Sequence, residues 1–213
     1  MRKSDLRVIA TPADISAAVR GLKRACPAMK RAHAVTGDPP LRRWPPGLPG
    51  LVRIITGQQL STASANAIHA RLVAALPGLD ADTLAACPDE TLRASGLSAG
   101  KIATLRALTT AIYVGDLDLA ALASADETAV RASLTAIRGI GPWTADIYLM
   151  FCRGDADAFA PGDLALQLGA AMLLDRKSRP SPVQLERIAE RWRPNRATAA
   201  RLIWAYYGIQ KSA

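Results

Sequence analysis

The chain has 213 residues, half of them hydrophobic and 21% charged, with 27 Lys and Arg against 18 Asp and Glu for a formal net charge of +9. This composition excludes a disordered chain, allows one domain or two small lobes, and favours a polyanionic partner such as nucleic acid or an acidic membrane face. Cys26, Cys87 and Cys152 stand far apart without a CxxC pair, which excludes an even disulfide framework and argues against a zinc or iron–sulfur site.

The start, MRKSDLRVIA, is basic but lacks an apolar run of signal-peptide length, and no segment approaches a membrane span. A cytoplasmic protein with buried or neutral thiols and no membrane partner is expected. Helical periodicity then runs through almost the whole chain. Thr11-Pro12 reads as a cap and a first-position proline, followed by Ile15, Val19 and Leu22 one turn apart. The prolines of DPPLRRWPPGLPG (Asp38 to Gly50) mark a connection. Leu51, Ile54 and Ile55 resume the period, then Ile68, Leu72 and Leu76. Ser98 predicts the N-cap of a helix carrying Ile102, Leu105, Leu108 and Ile112. Leu164, Leu168, Ala171 and Leu174 mark another helix, the basic DRKSRPSP (Asp175 to Pro182) a second connection, and Leu185, Ile188 and Trp192 one more helix. Alternating strands are scarce. The prediction is an all-α fold of two helical lobes: a central one over about residues 50–155, and a second from residues 1–49 and 156–213, with a cleft between them.

Two stretches carry chemistry. LTAIRGIGPWTADIYLMF (Leu134 to Phe151) reads as helix, tight hairpin, helix, with Gly139 and Gly141 permitting the turn and Pro142 suited to the first helical position. The amides of Gly139, Ile140, Gly141 and Trp143 are left to face an anion such as a phosphate. A bare GxG is also ordinary turn chemistry. FAPGDLALQLG (Phe159 to Gly169) places Asp163 after Pro-Gly and before an apolar helix. An N-cap is the common use of such an aspartate. The same helix end would keep the carboxylate ionised, able to stabilise a developing sugar cation.

These motifs, in this order, resemble the helix-hairpin-helix superfamily of DNA glycosylases with a Gly/Pro-rich loop and a catalytic Asp. The match is nearest to the alkyl-purine branch, the 3-methyladenine DNA glycosylase II (AlkA-like) family. ITGQQLSTASA (Ile55 to Ala65) resembles that family's Gly-Gln turn, GLSAGKIATLRAL (Gly96 to Leu108) its Gly-x-Ser-x-x-Lys helix start, and RWRPNRATAARLIWAYYG (Arg191 to Gly208) its C-terminal helix. The resemblance implies a catalytic Asp163, a phosphate-binding hairpin from Gly139 to Trp143, and a Na+ or K+ held by hairpin backbone carbonyls near Arg138 and Ile140. It implies aromatic walls of a base pocket at Trp143 and Trp204, whose electron-rich faces suit a cationic alkylated purine. Trp204 admits a core reading as well, and Trp192 is assigned to the core. Gln58, Gln59 and Leu60 fall where the family contacts the distorted duplex, although helix-end solvation explains glutamines there equally. Lys101 reads as a phosphate contact or as an ordinary solvated lysine.

Strand-cutting members of the superfamily hold a lysine where this chain has Trp143, so a monofunctional, monomeric enzyme acting on double-stranded DNA and requiring no cofactor is expected. The four-cysteine cluster of the endonuclease III and adenine glycosylase branches is missing. Larger alkyl-purine relatives carry an N-terminal β-rich domain, for which the residues before Pro49 leave no room. Some fill the flipped base's gap with a leucine in the slot held here by Gln59, with Leu60 next. Ile147 and Leu164 replace aromatic residues of some relatives, which bears on substrate range. Arg176, Lys177 and Arg179, and the series Arg187, Arg191, Arg193, Arg196 and Arg201, read mostly as solvated faces or carboxylate partners, about a third of them reaching DNA. His33 and His69 occur in no motif. The rival readings are a non-catalytic hairpin DNA-binding module and a glycosylase for other damaged or deaminated bases.

Overall fold

The computed structural model describes residues 7–212, so the first six residues of the MRKSDLRVIA segment lie outside the described residues. The described residues are all-α, with one isolated bridge between Val8 and Asp155 and no strand. They form two compact units, one from the chain up to Arg43 and from Leu149 onward, the other spanning Trp44–Tyr148.

The Trp44–Tyr148 unit contains α3 (Leu48–Gly57), α4 (Thr62–Ala75), α5 (Ala81–Ala86), α6 (Asp89–Ala94), α7 (Ala99–Tyr113), α8 (Glu127–Thr135) and α9 (Pro142–Ile147). Oxygen-bearing side chains start most of them: Ser61, Asp80, Ser98 and Asp126 each accept an amide hydrogen bond from the first turn they cap. α7 packs against α3, α5 and α6, with Ile102, Leu105 and Leu108 buried as their period demands. Arg106 of α7 donates to the carbonyls of Leu84 and Ala85 and pairs with Asp89 at 2.8 Å, tying down two helices too short to stand alone.

The other unit contains α1 (Pro12–Ala25), α2 (Pro27–Thr36), α10 (Leu164–Leu173), α11 (Pro182–Ala189) and α12 (Arg196–Ser212). α1 opens on the predicted Thr11 cap, completed as a capping box by Asp14. α10 and α12 cross closely because Gly169 presents no side chain: a Cβ there would lie 2.7 Å from Ile203 Cγ2 and 3.0 Å from its carbonyl. The helix predicted through Trp192 stops at Ala189 and tightens into a 3-10 turn over Glu190–Trp192. Trp192 is fully buried with its ring 6.0 Å from Phe159. All three cysteines are buried. No described helix is long and apolar enough to cross a membrane.

Candidate active site and nucleic-acid interface

In the Trp44–Tyr148 unit, α8 ends at Thr135 and the chain reverses before Pro142 opens α9. Gly139 is required twice over. Its φ is +87°, and a Cβ would stand 1.9 Å from Thr104 Oγ1, itself held by the Gly100 carbonyl at 3.0 Å. Gly141 differs: its φ is −97°, it is exposed, and a Cβ would meet nothing within 4 Å. Nothing inside the protein demands glycine at 141.

The hairpin uses some of its polar groups internally. Ile140 N–H donates to the Ile137 carbonyl at 3.0 Å, and the Gly141 carbonyl receives Thr144 and Ala145 N–H at 3.0 and 3.2 Å. Ile140 is therefore not a donor to an external anion, correcting the sequence expectation, and its side chain is buried. The amides of Gly139 and Gly141 have no hydrogen-bond acceptor among the described residues, and neither the Arg138 nor the Ile140 carbonyl accepts a hydrogen bond there. Arg138 itself is exposed and makes no hydrogen bond or ion pair among the described residues. Sequence reasoning used only its carbonyl. The signal was present, a basic side chain immediately before GxG.

Two further expectations change. Gln58 donates its amide to Thr144 Oγ1 at 2.9 Å and Gly139 O at 3.4 Å, so it latches the α3–α4 turn to the hairpin. Lys101 donates its ammonium to the Thr56 carbonyl at 2.7 Å, capping the end of α3, and burial lowers its pKa. That turn displays Gln59, exposed at φ +56°, and Leu60, 41% exposed. Trp143 is half-buried in the first turn of α9, and Ile147 is buried.

In the other unit, Asp163 is the N-cap of α10, and its Oδ1 accepts from Leu166 N–H at 2.9 Å. The same oxygen accepts from the Trp204 indole N–H at 2.9 Å. Gln167, buried one turn later, donates to the Pro161 carbonyl at 2.8 Å and so fixes the Pro-Gly segment leading into Asp163. Its signal was faint, a lone amide at i+4 on an apolar helix. Trp204 is half-buried and its ring lies 5.8 Å from Phe151, tilted by 31°. Phe151 belongs to a π-helical stretch, Tyr148–Arg153, that continues α9. Leu164 is exposed beside Asp163.

The arginine series divides. Arg187 and Arg191 are exposed, as are Arg176, Lys177 and Arg179. Arg193 pairs with Asp157 and with Glu190. Arg196 is buried as a partner of Asp157, Glu186 and Glu190, one of the two readings the sequence allowed, whereas Arg201 is buried without a carboxylate among the described residues. His33 pairs with Asp38 at 2.9 Å, and burial lowers the pKa of His69. No group of three or more His, Cys, Asp or Glu side chains among the described residues is placed to hold a metal ion.

Comparison with known proteins places this geometry. The chain is 31% identical over 205 residues to the probable bifunctional transcriptional activator/DNA repair enzyme AlkA of Mycobacterium tuberculosis, covering 90% of this chain and 40% of that protein. It therefore spans less than half the length of that relative. It is 31% identical over 164 residues to DNA-3-methyladenine glycosylase 1 of Schizosaccharomyces pombe, covering 72% of this chain and 69% of the relative. The solved structure of S. pombe 3-methyladenine DNA glycosylase (Mag1) in complex with abasic DNA superposes with a TM-score of 0.82 at 25% identity, over 88% of this chain and 95% of that one. Residues 52–194, a span that runs from α3 to the turn before α12 and includes both the hairpin and the capped aspartate, match the family model, and the chain belongs to the HhH-GPD superfamily of base excision DNA repair proteins.

Proposed function

We propose that this chain is a monofunctional, monomeric DNA glycosylase that hydrolyses the N-glycosidic bond of alkylated purines in double-stranded DNA and leaves an abasic site. The observation that carries the reading is the double hydrogen bond to Asp163 Oδ1, from Leu166 N–H and Trp204 Nε1. A module that only bound DNA would gain nothing from a carboxylate so fixed, because it repels phosphate. An enzyme building positive charge on a deoxyribose gains a preorganised anion.

The hairpin would supply the anchor, with the Gly139 and Gly141 amides and the Arg138 guanidinium taking one phosphate of the damaged strand. The Arg138 and Ile140 carbonyls suit a bound Na+ or K+, which would add positive charge at that phosphate. Gln59 and Leu60 would support the duplex where the nucleotide has left the stack. Purines alkylated at N3 or N7 are cationic and leave as neutral bases, so the chemistry asks little of a general acid. Asp163 would stabilise the oxocarbenium-like sugar and orient the water that attacks C1′, much as carboxylates serve glycoside hydrolysis. Trp204 would wall the base pocket while holding Asp163, and Trp143 would supply an aromatic surface where a strand-cutting enzyme needs an amine.

The test is incubation with methylated duplex DNA and chromatography of the released bases. Release of 3-methyladenine or 7-methylguanine without strand cleavage is expected, and a protein that binds the duplex but releases no base would overturn the reading.

A further inference from the structure

Arg201, on α12, is a buried cation that meets carbonyls where its neighbours meet carboxylates. Within the same unit Arg196 is neutralised by Asp157, Glu186 and Glu190, and Arg153 by Asp155. Arg201 Nη2 donates instead to the carbonyls of Met150 at 3.1 Å and Arg42 at 3.2 Å, and its Nη1 to that of Ala197 at 3.4 Å. Burial, then the like charges of Arg43 and Arg42, lower its pKa to about 10, which leaves it cationic at neutral pH. A buried charge held in this way costs stability that an aliphatic side chain of similar volume would not.

The carbonyls explain where the guanidinium is needed. Met150 lies in the π-helical stretch Tyr148–Arg153, whose wide turn departs from the α-helical ladder and leaves carbonyls for donors from elsewhere. Arg201 takes that of Met150, and Arg43 takes those of Cys152 and Arg153, each at 3.1 Å. Phe151 stands between these pinned carbonyls. The Arg201 guanidinium carbon lies 4.4 Å from the Phe151 ring centroid, so one planar group holds both the backbone before Phe151 and the ring itself. The Phe151 ring is 5.8 Å from that of Trp204, and the Trp204 indole N–H donates to Asp163 Oδ1 at 2.9 Å.

We propose that Arg201 is a positioning residue for Asp163: it fixes Phe151, Phe151 sets the plane of the Trp204 indole, and the indole N–H aims the carboxylate. The Leu166 amide alone leaves the carboxylate free to turn about a single hydrogen bond. The indole removes that freedom as long as its ring keeps its plane. The catalytic consequence rests on the role given to Asp163 above, whereas the geometry can be read without any reaction.

Hydrogen exchange at the indole N–H groups, followed by nitrogen-15 NMR, reads the geometry, with the Trp204 signal assigned by Trp204→Phe. Trp192, fully buried in the same unit with its ring 6.0 Å from Phe159, is the control. In Arg201→Met the Trp204 N–H should exchange about tenfold faster while Trp192 keeps its native rate, because local opening and global unfolding are separate routes to exchange. Single-turnover release of 7-methylguanine reads the consequence. Arg201→Met should slow it about tenfold with binding of abasic duplex unchanged, and should slow it less than about twofold in a Trp204→Phe background, where the restraint is already gone. Arg201→Lys keeps the charge and loses the plane, so it should share both changes; if Arg201→Met does not fold, Arg201→Lys carries the comparison. Equal acceleration of Trp192 and Trp204, or a second full tenfold loss in the Trp204→Phe background, would leave Arg201 only a packing role. Release of no base by the unaltered protein, with the exchange effect confined to Trp204, would overturn the glycosylase reading and leave the positioning geometry standing.

Discussion

One oxygen of Asp163 takes two hydrogen bonds of equal length: the Leu166 amide and the Trp204 indole each approach Oδ1 at 2.9 Å. Cap and chemistry are therefore separable by substitution. An asparagine offers the same carbonyl-type oxygen to both donors, and Asn caps helices about as well as Asp. Asp163→Asn should melt within about 1 kcal/mol of the native protein, the usual scale of a cap. It carries no negative charge for the sugar cation, and losing about 4 kcal/mol of transition-state stabilisation slows release roughly a thousandfold. Single-turnover release of 7-methylguanine beside a thermal melt reads both numbers. Native-rate excision by the folded variant would leave Asp163 only its cap.

Trp204→Phe isolates the other donor. The ring that packs on Phe151 is largely kept while the indole N–H is lost. A single hydrogen bond to a charged group contributes about 1.5–3 kcal/mol, so excision should fall about tenfold or more as the carboxylate loses its second restraint. Binding of abasic duplex should change much less. Equal losses of excision, abasic-DNA binding and stability would return Trp204 to a purely packing role.

The two hairpin glycines should answer differently to the same change. At Gly139 an added methyl meets a pinned Thr104 and a left-handed backbone, so Gly139→Ala should destabilise by about 2 kcal/mol or more. At Gly141 the space is open and φ is ordinary, so Gly141→Ala should melt like the native protein. Gly141→Asp should also fold, yet weaken DNA binding by setting a carboxylate against phosphate. Equilibrium binding at several salt concentrations, with melts of all three variants, decides the matter. Unchanged affinity in Gly141→Asp would remove the phosphate anchor.

Much of this was legible from short-range pattern. Thr11-Pro12 and Ser98 announced their helices, and Pro-Gly-Asp before an apolar run announced the Asp163 cap, because capping is settled within four residues. What stayed hidden depends on partners far along the chain. Gln58 finds Thr144, 86 residues on, and Lys101 finds Thr56, 45 residues back, so both looked available for DNA when read alone. Gly139 was visible as a turn residue, but the Thr104 side chain that forbids a Cβ comes from α7. Arg201 sits among arginines whose spacing marks no buried face, and the carbonyls it meets, those of Arg42 and Met150, come from far along the chain. The π-helical stretch that presents Phe151 had no sequence signal.

Lys101 and Arg138 form the last contrast, since sequence left Lys101 between a phosphate contact and an ordinary solvated lysine, and the structure leaves Arg138 as an uncommitted cation. Each phosphate neutralised by a side chain contributes about 0.9 to the slope of log affinity against log salt. Arg138→Ala should flatten that slope by about this amount and leave the melt unchanged, because the side chain is exposed and has no partner to lose. Lys101→Met should do the reverse. It strips the Thr56 carbonyl of a charged donor at the end of α3, at a cost of about 1 kcal/mol for a half-exposed group, and keeps the salt slope. Fluorescence-anisotropy titrations of a labelled duplex across a salt series give the slopes, and melts give the stabilities. A slope that falls in Lys101→Met and holds in Arg138→Ala would restore the phosphate contact to Lys101 and leave Arg138 as solvated surface.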